Sequence, residues 1–388
     1  MKVLVTGHQG YLGTVMVPVL QAAGHEVVGL DTGLFADCVL GTRQPEPDAL
    51  AVDLRDVTVE HLHGFDAVVH LAALSNDPLG SLAPGITHDI NHHASTRIAR
   101  LAKQAGVSRF LYASTCSVYG AAGDDLVTED APLRPITPYA ESKVRVEDDV
   151  AALADDSFTP VFLRNATAFG FSPRLRADIV LNNLVGYAVL RGEVTVLSDG
   201  TPWRPLVHAL DIADAFVSCL TAPAEVVSGR AYNIGCEANN VTVAEIASAV
   251  VDTVPGSTLN ITGAHGSDPR SYRVDFSRAR AELGFQANWS VAAGAAELYC
   301  EYTARGLTEE AFFQRFTRLA HLKHRQEAGE LDDLMRPRVA GGAHLRLAAR
   351  SAHDDALRSR ADTAVASSGQ SIASSPSSNA TDRSSVGS

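Results

Sequence analysis

Gly7-His8-Gln9-Gly10-Tyr11-Leu12-Gly13 lies between a short buried-strand pattern, Lys2–Thr6, and a helical pattern over Tyr11–Ala23. That order constrains the start of the fold more than any other feature. Gly7 permits a tight turn, Gly10 lets the backbone approach a pyrophosphate, and Gly13 lets the helix pack closely on a sheet. The helix end offers unpaired N–H groups and a partial positive charge to phosphates, with Tyr11 and Leu12 at the contact. A glycine pattern alone says little; the strand–loop–helix setting makes it specific. Asp31 closes the next strand pattern, Glu26–Asp31. A carboxylate there accepts hydrogen bonds from the adenosine ribose and repels a 2′-phosphate. Thr32-Gly33-Leu34 offers no arginine for such a phosphate, so the expected cofactor is NAD and not NADP.

Further strand patterns follow at Leu50–Asp53, Ala67–Leu71, Arg109–Ser114 and Pro160–Leu163, separated by helical patterns at Ile90–Ala105 and Pro138–Leu153. This alternation predicts an α/β fold with a doubly wound parallel sheet covered on both faces. Asp53-Leu54 and Leu71-Ala72-Ala73 fall at carboxyl ends of strands, where such sheets bind ligands, and the small alanines leave room for a cofactor. Beyond residue 165 the pattern is less regular. Helical patterns at Leu181–Leu190, Ala209–Leu220 and Val243–Val251 and a strand at Ala231–Ile234 suggest a smaller α/β lobe interleaved with late strands of the sheet. The expected division is residues 1–165 for the dinucleotide, 166–325 mainly for the substrate, and 340–388 as a disordered Ser/Ala-rich tail. Ten of the last 22 residues are serine, too little apolar surface to offset ordering entropy. Arg315–Arg325 reads as a basic, solvated helix face.

Composition narrows the class. Of 388 residues, 46% are hydrophobic and 20% charged, which fits a globular chain. No apolar run is long enough to span a membrane and the N-terminus does not resemble a signal peptide, so the expected location is cytoplasmic, with no membrane partner. A net charge of −13 argues against bulk binding of nucleic acid or anionic lipid. An anionic substrate must then be held by a few local arginines. The five cysteines are scattered without a Cys-x-x-Cys pair, so neither a disulfide framework nor a metal site is expected.

Tyr139-Ala140-Glu141-Ser142-Lys143 places a phenol and an ammonium four residues apart, on one side of a helix that Pro138 is suited to start. Thr115 follows the fifth strand pattern and should reach the same cleft. Hydride transfer at an alcohol carbon needs a proton moved at the attached oxygen. A tyrosine with its ordinary pKa of about 10 is a poor base at neutral pH; a neighbouring ammonium and a positive nicotinamide ring favour the phenolate.

With these residues in hand, the chain resembles the extended short-chain dehydrogenase/reductases, in their NAD-dependent sugar-nucleotide epimerase/dehydratase branch, over roughly residues 1–320. The resemblance rests on Gly7–Gly13, Asp31, Leu71-Ala72-Ala73, Asn91, Ser114–Gly120, Tyr139–Lys143 and Asp199–His208. It implies a Rossmann fold with Thr115, Tyr139 and Lys143 as the catalytic set. Lys143 would also hold the nicotinamide ribose, and Asn91 would support the active-site helix beside the cofactor. It further implies that Asn183, Arg204 and the Asp268–Tyr272 segment, Arg270 above all, hold a nucleotide diphosphate, a role suited to guanidinium forks. Thr167 stands at a sugar-contacting position where many relatives carry asparagine. A homodimer is the expected assembly by the habit of the fold.

Two departures bear on the reaction. The 4,6-dehydratases carry residues resembling Asp-Glu after the catalytic threonine; here they are Cys116 and Ser117. In the 3,5-epimerases and GDP-fucose synthase a cysteine stands two residues before the trailing tyrosine, where this chain has Ser117. Cys116 therefore reads as a small packed residue. The expected function is an NAD-dependent sugar-nucleotide epimerase working through a transient keto sugar. A sugar-nucleotide ketoreductase, a dehydratase, or a reductase of a non-nucleotide alcohol or ketone remain the alternatives. The last of these requires that Asn183, Arg204 and Arg270 do not share one cleft.

Overall fold

Seven short apolar runs pair side by side in the computed structural model, which describes residues 1–75, 84–121, 125–263 and 270–338. They are β1 (Lys2–Thr6), β2 (Glu26–Asp31), β3 (Ala49–Ala51), β4 (Ala67–His70), β5 (Arg109–Thr115), β6 (Thr159–Asn165) and β7 (Arg230–Ile234). Their spatial order is β3-β2-β1-β4-β5-β6-β7, with every pair parallel. The chain thus winds outward one way from β1 and then the other way from β4. The gap between the carboxyl ends of β1 and β4 is where such a sheet accepts a ligand.

Alternation along the strands explains why both faces are covered. Val3 and Val5 of β1 join a core with Met16 and Leu20 of α1 (Gly13–Ala22), and Leu4 points into the opposite core. On β5, Leu111 and Ala113 take the first side, Phe110 and Tyr112 the second. Ile98 and Ala99 of α2 (Ser95–Gln104) and Val146 and Val150 of α3 (Pro138–Ala151) complete the second core. The first is closed by Ile212 and Phe216 of α4 (Ala209–Thr221). Each fully buried Leu, Val or Phe contributes about 1.5–3 kcal/mol.

The remaining strands are short. Trp203–His208 pairs parallel with Thr167–Phe169 and antiparallel with Asn240–Thr242, and Glu193–Val196 pairs with Thr258–Ile261. Helices Val180–Arg191, Val243–Thr253 and Val291–Ala304 enclose a third core around Phe169, Leu181, Ile246 and Leu298. The described residues fall in one compact unit, so the sequence boundary near residue 165 is not a break between separate bodies. β7 comes from the later half of the chain yet forms an edge of the main sheet. The expected tail, 340–388, lies outside the described residues. Among those described, no helix is long and apolar enough to cross a membrane.

Four local expectations change. The first helix begins at Gly13 and not Tyr11, because the glycine turn runs through Leu12. The third strand ends at Ala51, and Asp53 caps a short turn by accepting from Arg55 N at 2.9 Å. The single helix expected over Ile90–Ala105 is a π-helical segment, Asp89–Ala94, leading into α2. The Arg315–Arg325 stretch is not merely a solvated face. It contributes α5 (Arg318–Glu327), whose Arg318, His321 and Leu322 are buried; mixing charge with apolar residues hid its inward side.

Candidate active site

Gly7 has φ +75°, and a Cβ there would stand 2.8 Å from Ala72 N, so the turn crosses β4's exit too closely for any side chain. A Cβ on Gly13 would meet Gly7 O at 2.2 Å, so this glycine seats α1 against the loop. No side chain caps α1 and its first turn holds no acidic residue. The N-terminus is therefore available to an anion. Beneath the turn, buried His70 bridges Thr6 Oγ1 (2.6 Å) and Ser95 Oγ (2.8 Å). Burial, with Lys143 nearby, pushes its pKa down to about 3, so it ties the strand ends together as a neutral ring.

These pieces open onto one cavity of about 620 Å³, within the usual range of ligand clefts. Its walls include Gly7, Gly10, Tyr11, Leu12 and Gly13 of the loop, with Asp31, Asp53, Leu54, Leu71, Ala72 and Ala73 from the strand ends. Asp31 accepts from Gln9 N (3.1 Å) and Gly33 N (2.9 Å), which fixes its carboxylate at the tip of β2. Asp53 is gripped by the Arg55 guanidinium at 2.9 and 2.7 Å. A close-approach turn, an uncapped helix end and a ribose-height carboxylate together fit a dinucleotide.

Thr115, Tyr139 and Lys143 line the same cavity. Thr137 Oγ1 accepts from Ala140 N at 3.2 Å and Pro138 occupies the first turn, so α3 starts where Tyr139 faces the cleft. One turn on, Lys143 is 3% exposed; its Nζ donates to Ala113 O at 2.7 Å and lies 5.7 Å from the Tyr139 ring centroid. Burial lowers the Lys143 pKa to about 7, against the opposing pull of Glu147. Glu147 itself accepts from Ser114 Oγ and from Arg164 Nη2 at 2.6 Å, and Arg164 reaches Tyr119 Oη at 3.0 Å. This buried network fixes the end of β5 against α3, and thus Thr115 against Lys143.

Cys116 is 1% exposed, its Sγ donates to Arg164 O at 3.0 Å, and burial pushes its thiol pKa well up. That is a packed thiol, as its position in the sequence suggested. Three carboxylates line the cavity among the described residues, Asp31, Asp53 and Asp178. Each is held, the last by Arg176 at 3.1 Å.

The opposite wall brings Thr167, Asn183, Arg204 and Arg270 together. Asn183 Nδ2 donates to Ala177 O at 2.8 Å, while Arg204 Nη1 donates to Trp203 O at 2.9 Å and to Arg270 O. Asp268 and Pro269 of the same segment lie outside the described residues. Asn91 is buried beside the cavity. It does not line the cavity, because both ends of its amide are taken by the Leu74 backbone, at 2.8 and 3.0 Å. Its amide holds Leu74, a cavity-lining residue, in place.

Sequence reading missed several wall residues: Ser75, Arg176, Asp178, Arg318 and Met335. Arg176 bridges Asp178 and Ser75 Oγ (3.1 Å), and the Arg-x-Asp spacing just past a strand was a usable signal. Arg318 and Met335 come from far along the chain and had none. His208 and Asp211 are structural. His208 Nδ1 accepts from Leu210 N and its ring stacks on Trp289 at 4.1 Å, and Asp211 accepts from Asn288 N and Trp289 N. Asp37, Cys38 and His321 bring possible ligand atoms within 4.8 Å of one another. Cys38 donates to Arg315 O, and His321 meets Asp37 at 3.3 Å; each group has a protein partner, and the cluster carries no argument for an ion.

Known proteins resemble this chain over most of its length. The profile described as the NAD dependent epimerase/dehydratase family matches residues 3–235. A UDP-glucose 4-epimerase of Mycolicibacterium smegmatis is 28% identical over 309 residues, covering 76% of this chain and 97% of its own. The solved structure of MoeE5 in complex with UDP-glucuronic acid and NAD is 30% identical with a TM-score of 0.68, covering 79% of this chain and 100% of that one. DesIV, a dTDP-glucose 4,6-dehydratase from Streptomyces venezuelae solved with NAD and TYD bound, is 25% identical with a TM-score of 0.70, covering 80% and 100%.

Proposed function

The chain belongs to the NAD-dependent epimerase/dehydratase family, and on that premise we propose that it is an NAD-dependent epimerase of nucleotide sugars. One observation carries the reading. A single cavity gathers the glycine turn, the Thr115–Tyr139–Lys143 group and the Asn183–Arg204–Arg270 wall. A reductase of small non-nucleotide alcohols has no use for the third of these. The relatives make UDP-hexoses, and carbon 4, the first substrates to try.

When bound, NAD supplies the chemistry of taking a hydride from the sugar carbon and giving it back. The chain's own residues do the rest. Gly7, Gly10, Leu12 and the α1 terminus hold the pyrophosphate, Asp31 the adenosine ribose, and Lys143 the second ribose. Tyr139 takes the proton from the sugar hydroxyl and returns it, Thr115 hydrogen-bonds the same oxygen, and the Lys143 ammonium favours the phenolate. Arg204 and Arg270 hold the diphosphate, so the keto sugar can present its other face while the nucleotide stays anchored.

Dehydration is the second reading, favoured by the likeness to DesIV. Elimination of water needs an acid and a base beside Thr115; the thiol there is packed with a raised pKa, and the cavity's carboxylates are held elsewhere. We place the protein in the cytoplasm, in carbohydrate metabolism and as a homodimer; light scattering on the purified chain tests the last.

Two substitutions test the assignments. Arg204→Ala removes a charge-assisted contact of about 1.5–3 kcal/mol, so KM for a UDP-hexose should rise about 10- to 100-fold; an unaltered KM places the diphosphate elsewhere. Asp31→Ala should weaken NAD about tenfold relative to NADP, read by titration of the apoprotein. An unchanged ratio removes Asp31 from the ribose.

A further inference from the structure

The C-terminal part of the described chain reaches back to the end of the cavity marked by Asp31 and Asp53. It does so through two sets of contacts. Along α5, Arg325 Nη1 donates to Leu34 O at 2.7 Å, His321 Nε2 lies 3.3 Å from the same oxygen, and the Arg318 guanidinium sits 4.1 Å above the Phe35 ring. All three grip the segment just past β2. Beyond α5, Leu331 and Pro337 bridge, and Asp332 N donates to Arg336 O at 2.9 Å, which makes a small hairpin. That hairpin is fastened to the segment past β3. Arg55 Nη1 donates to Leu334 O at 2.9 Å, and Arg336 reaches Asp56 Oδ1 at 3.2 Å and Asp53 Oδ2 at 3.8 Å.

Two side chains of this strap line the cavity itself. Arg318 is 4% exposed; its Nη2 donates to Arg174 O at 3.3 Å, but its Nη1 is buried with no hydrogen-bond partner. Burying such a donor unpaired is costly, and an acceptor brought by a ligand recovers that loss. Met335, at the hairpin tip, is 4% exposed and holds φ +60°, the one positive φ of a non-glycine residue among those described. A β-unbranched apolar side chain kept in a conformation that suits glycine points to a use for the side chain.

We propose that residues 318–338 form the outer wall of the site's adenosine half. Met335 packs on the adenosine, Arg318 donates to the cofactor, and the dinucleotide exchanges only when the Leu331–Pro337 hairpin lifts. This rests on the reading of the cavity as an NAD site. Loops at the carboxyl ends of the second and third strands are where a doubly wound sheet holds the adenosine half, and the strap is pinned to both. It accordingly limits cofactor loss between turnovers, which suits a reaction that consumes no net NAD.

The test uses the full chain stripped of nucleotide, titrated separately with NAD, ADP-ribose and UDP, with NAD release followed by stopped flow. Met335→Gly removes the side chain at a backbone conformation glycine prefers; Arg336→Ala frees the hairpin and replaces no cavity-lining side chain. Met335→Gly should weaken NAD and ADP-ribose in parallel by about tenfold. Both variants should speed NAD release, with UDP affinity unchanged. If wild type binds ADP-ribose and both variants bind and release it as wild type does, the strap is not part of the site although the cavity still holds NAD. If UDP affinity falls instead, the strap serves the substrate end and the proposal fails. A wild-type chain that binds neither NAD nor ADP-ribose overturns the cofactor reading together with the strap.

Discussion

Tyr139→Phe is expected to lower kcat about 10²- to 10⁴-fold while NAD remains bound. The range is that of a positioned general acid–base group. The ring stays, so the contacts that Tyr139 makes as an apolar wall of the cavity persist, as does Lys143 donating to Ala113 O. Only the proton-carrying oxygen is lost. Lys143→Met differs in kind, because the ammonium is assigned both to the phenolate and to a ribose; it should lower turnover and weaken NAD together. Measuring kcat and NAD affinity for both variants separates the roles. Wild-type turnover in Tyr139→Phe would remove it as the acid–base group.

Glu147→Leu is expected to cost about 3–5 kcal/mol, because it strands a buried arginine. Glu147 and Arg164 are 5% and 6% exposed, and Arg164 spends its donors on Glu147, Tyr119 and Glu129 O. Its partner gone, the guanidinium keeps its desolvation cost without its charge pair. Glu147→Leu combined with Arg164→Met removes both charges and should recover much of the loss, read by denaturant midpoints of the three variants. A single variant as stable as wild type would show the pair to be energetically idle. Glu147→Gln adds a pH readout. Burial already brings Lys143 to about 7 and the Glu147 charge opposes that shift. Removing the charge lets the Lys143 pKa fall further, so the ammonium is lost at lower pH and the alkaline limb of activity moves toward acid.

Much of this was legible in the sequence because it is local. The glycine loop lies within seven residues and Tyr139 to Lys143 within one helical turn, and strand alternation shows up as a period of two. Once β5 and α3 were placed, Thr115 had to come near Lys143. The wall opposite was reached through resemblance, since nothing in the spacing of Asn183, Arg204 and Arg270 says they meet. A buried asparagine beside a site can hold backbone as well as ligand, and only coordinates show Leu74 taking both ends of the Asn91 amide. Arg318 and Met335 were invisible for a different reason. A basic, weakly apolar segment reads as surface, and its inward side exists only because Leu34, Phe35 and Asp53 stand opposite it after folding.

The central claim is that one carbon gives up a hydride and receives the same one back within a closed site. UDP-glucose deuterated at carbon 4 should be incubated with the purified chain in ordinary water and followed by NMR. The expected product is the C4 epimer with deuterium retained at that carbon and no accumulation of reduced cofactor. Deuterium lost to solvent, a keto product formed in step with NADH, or a keto-deoxy product carrying the deuterium at another carbon with no net NADH would contradict it.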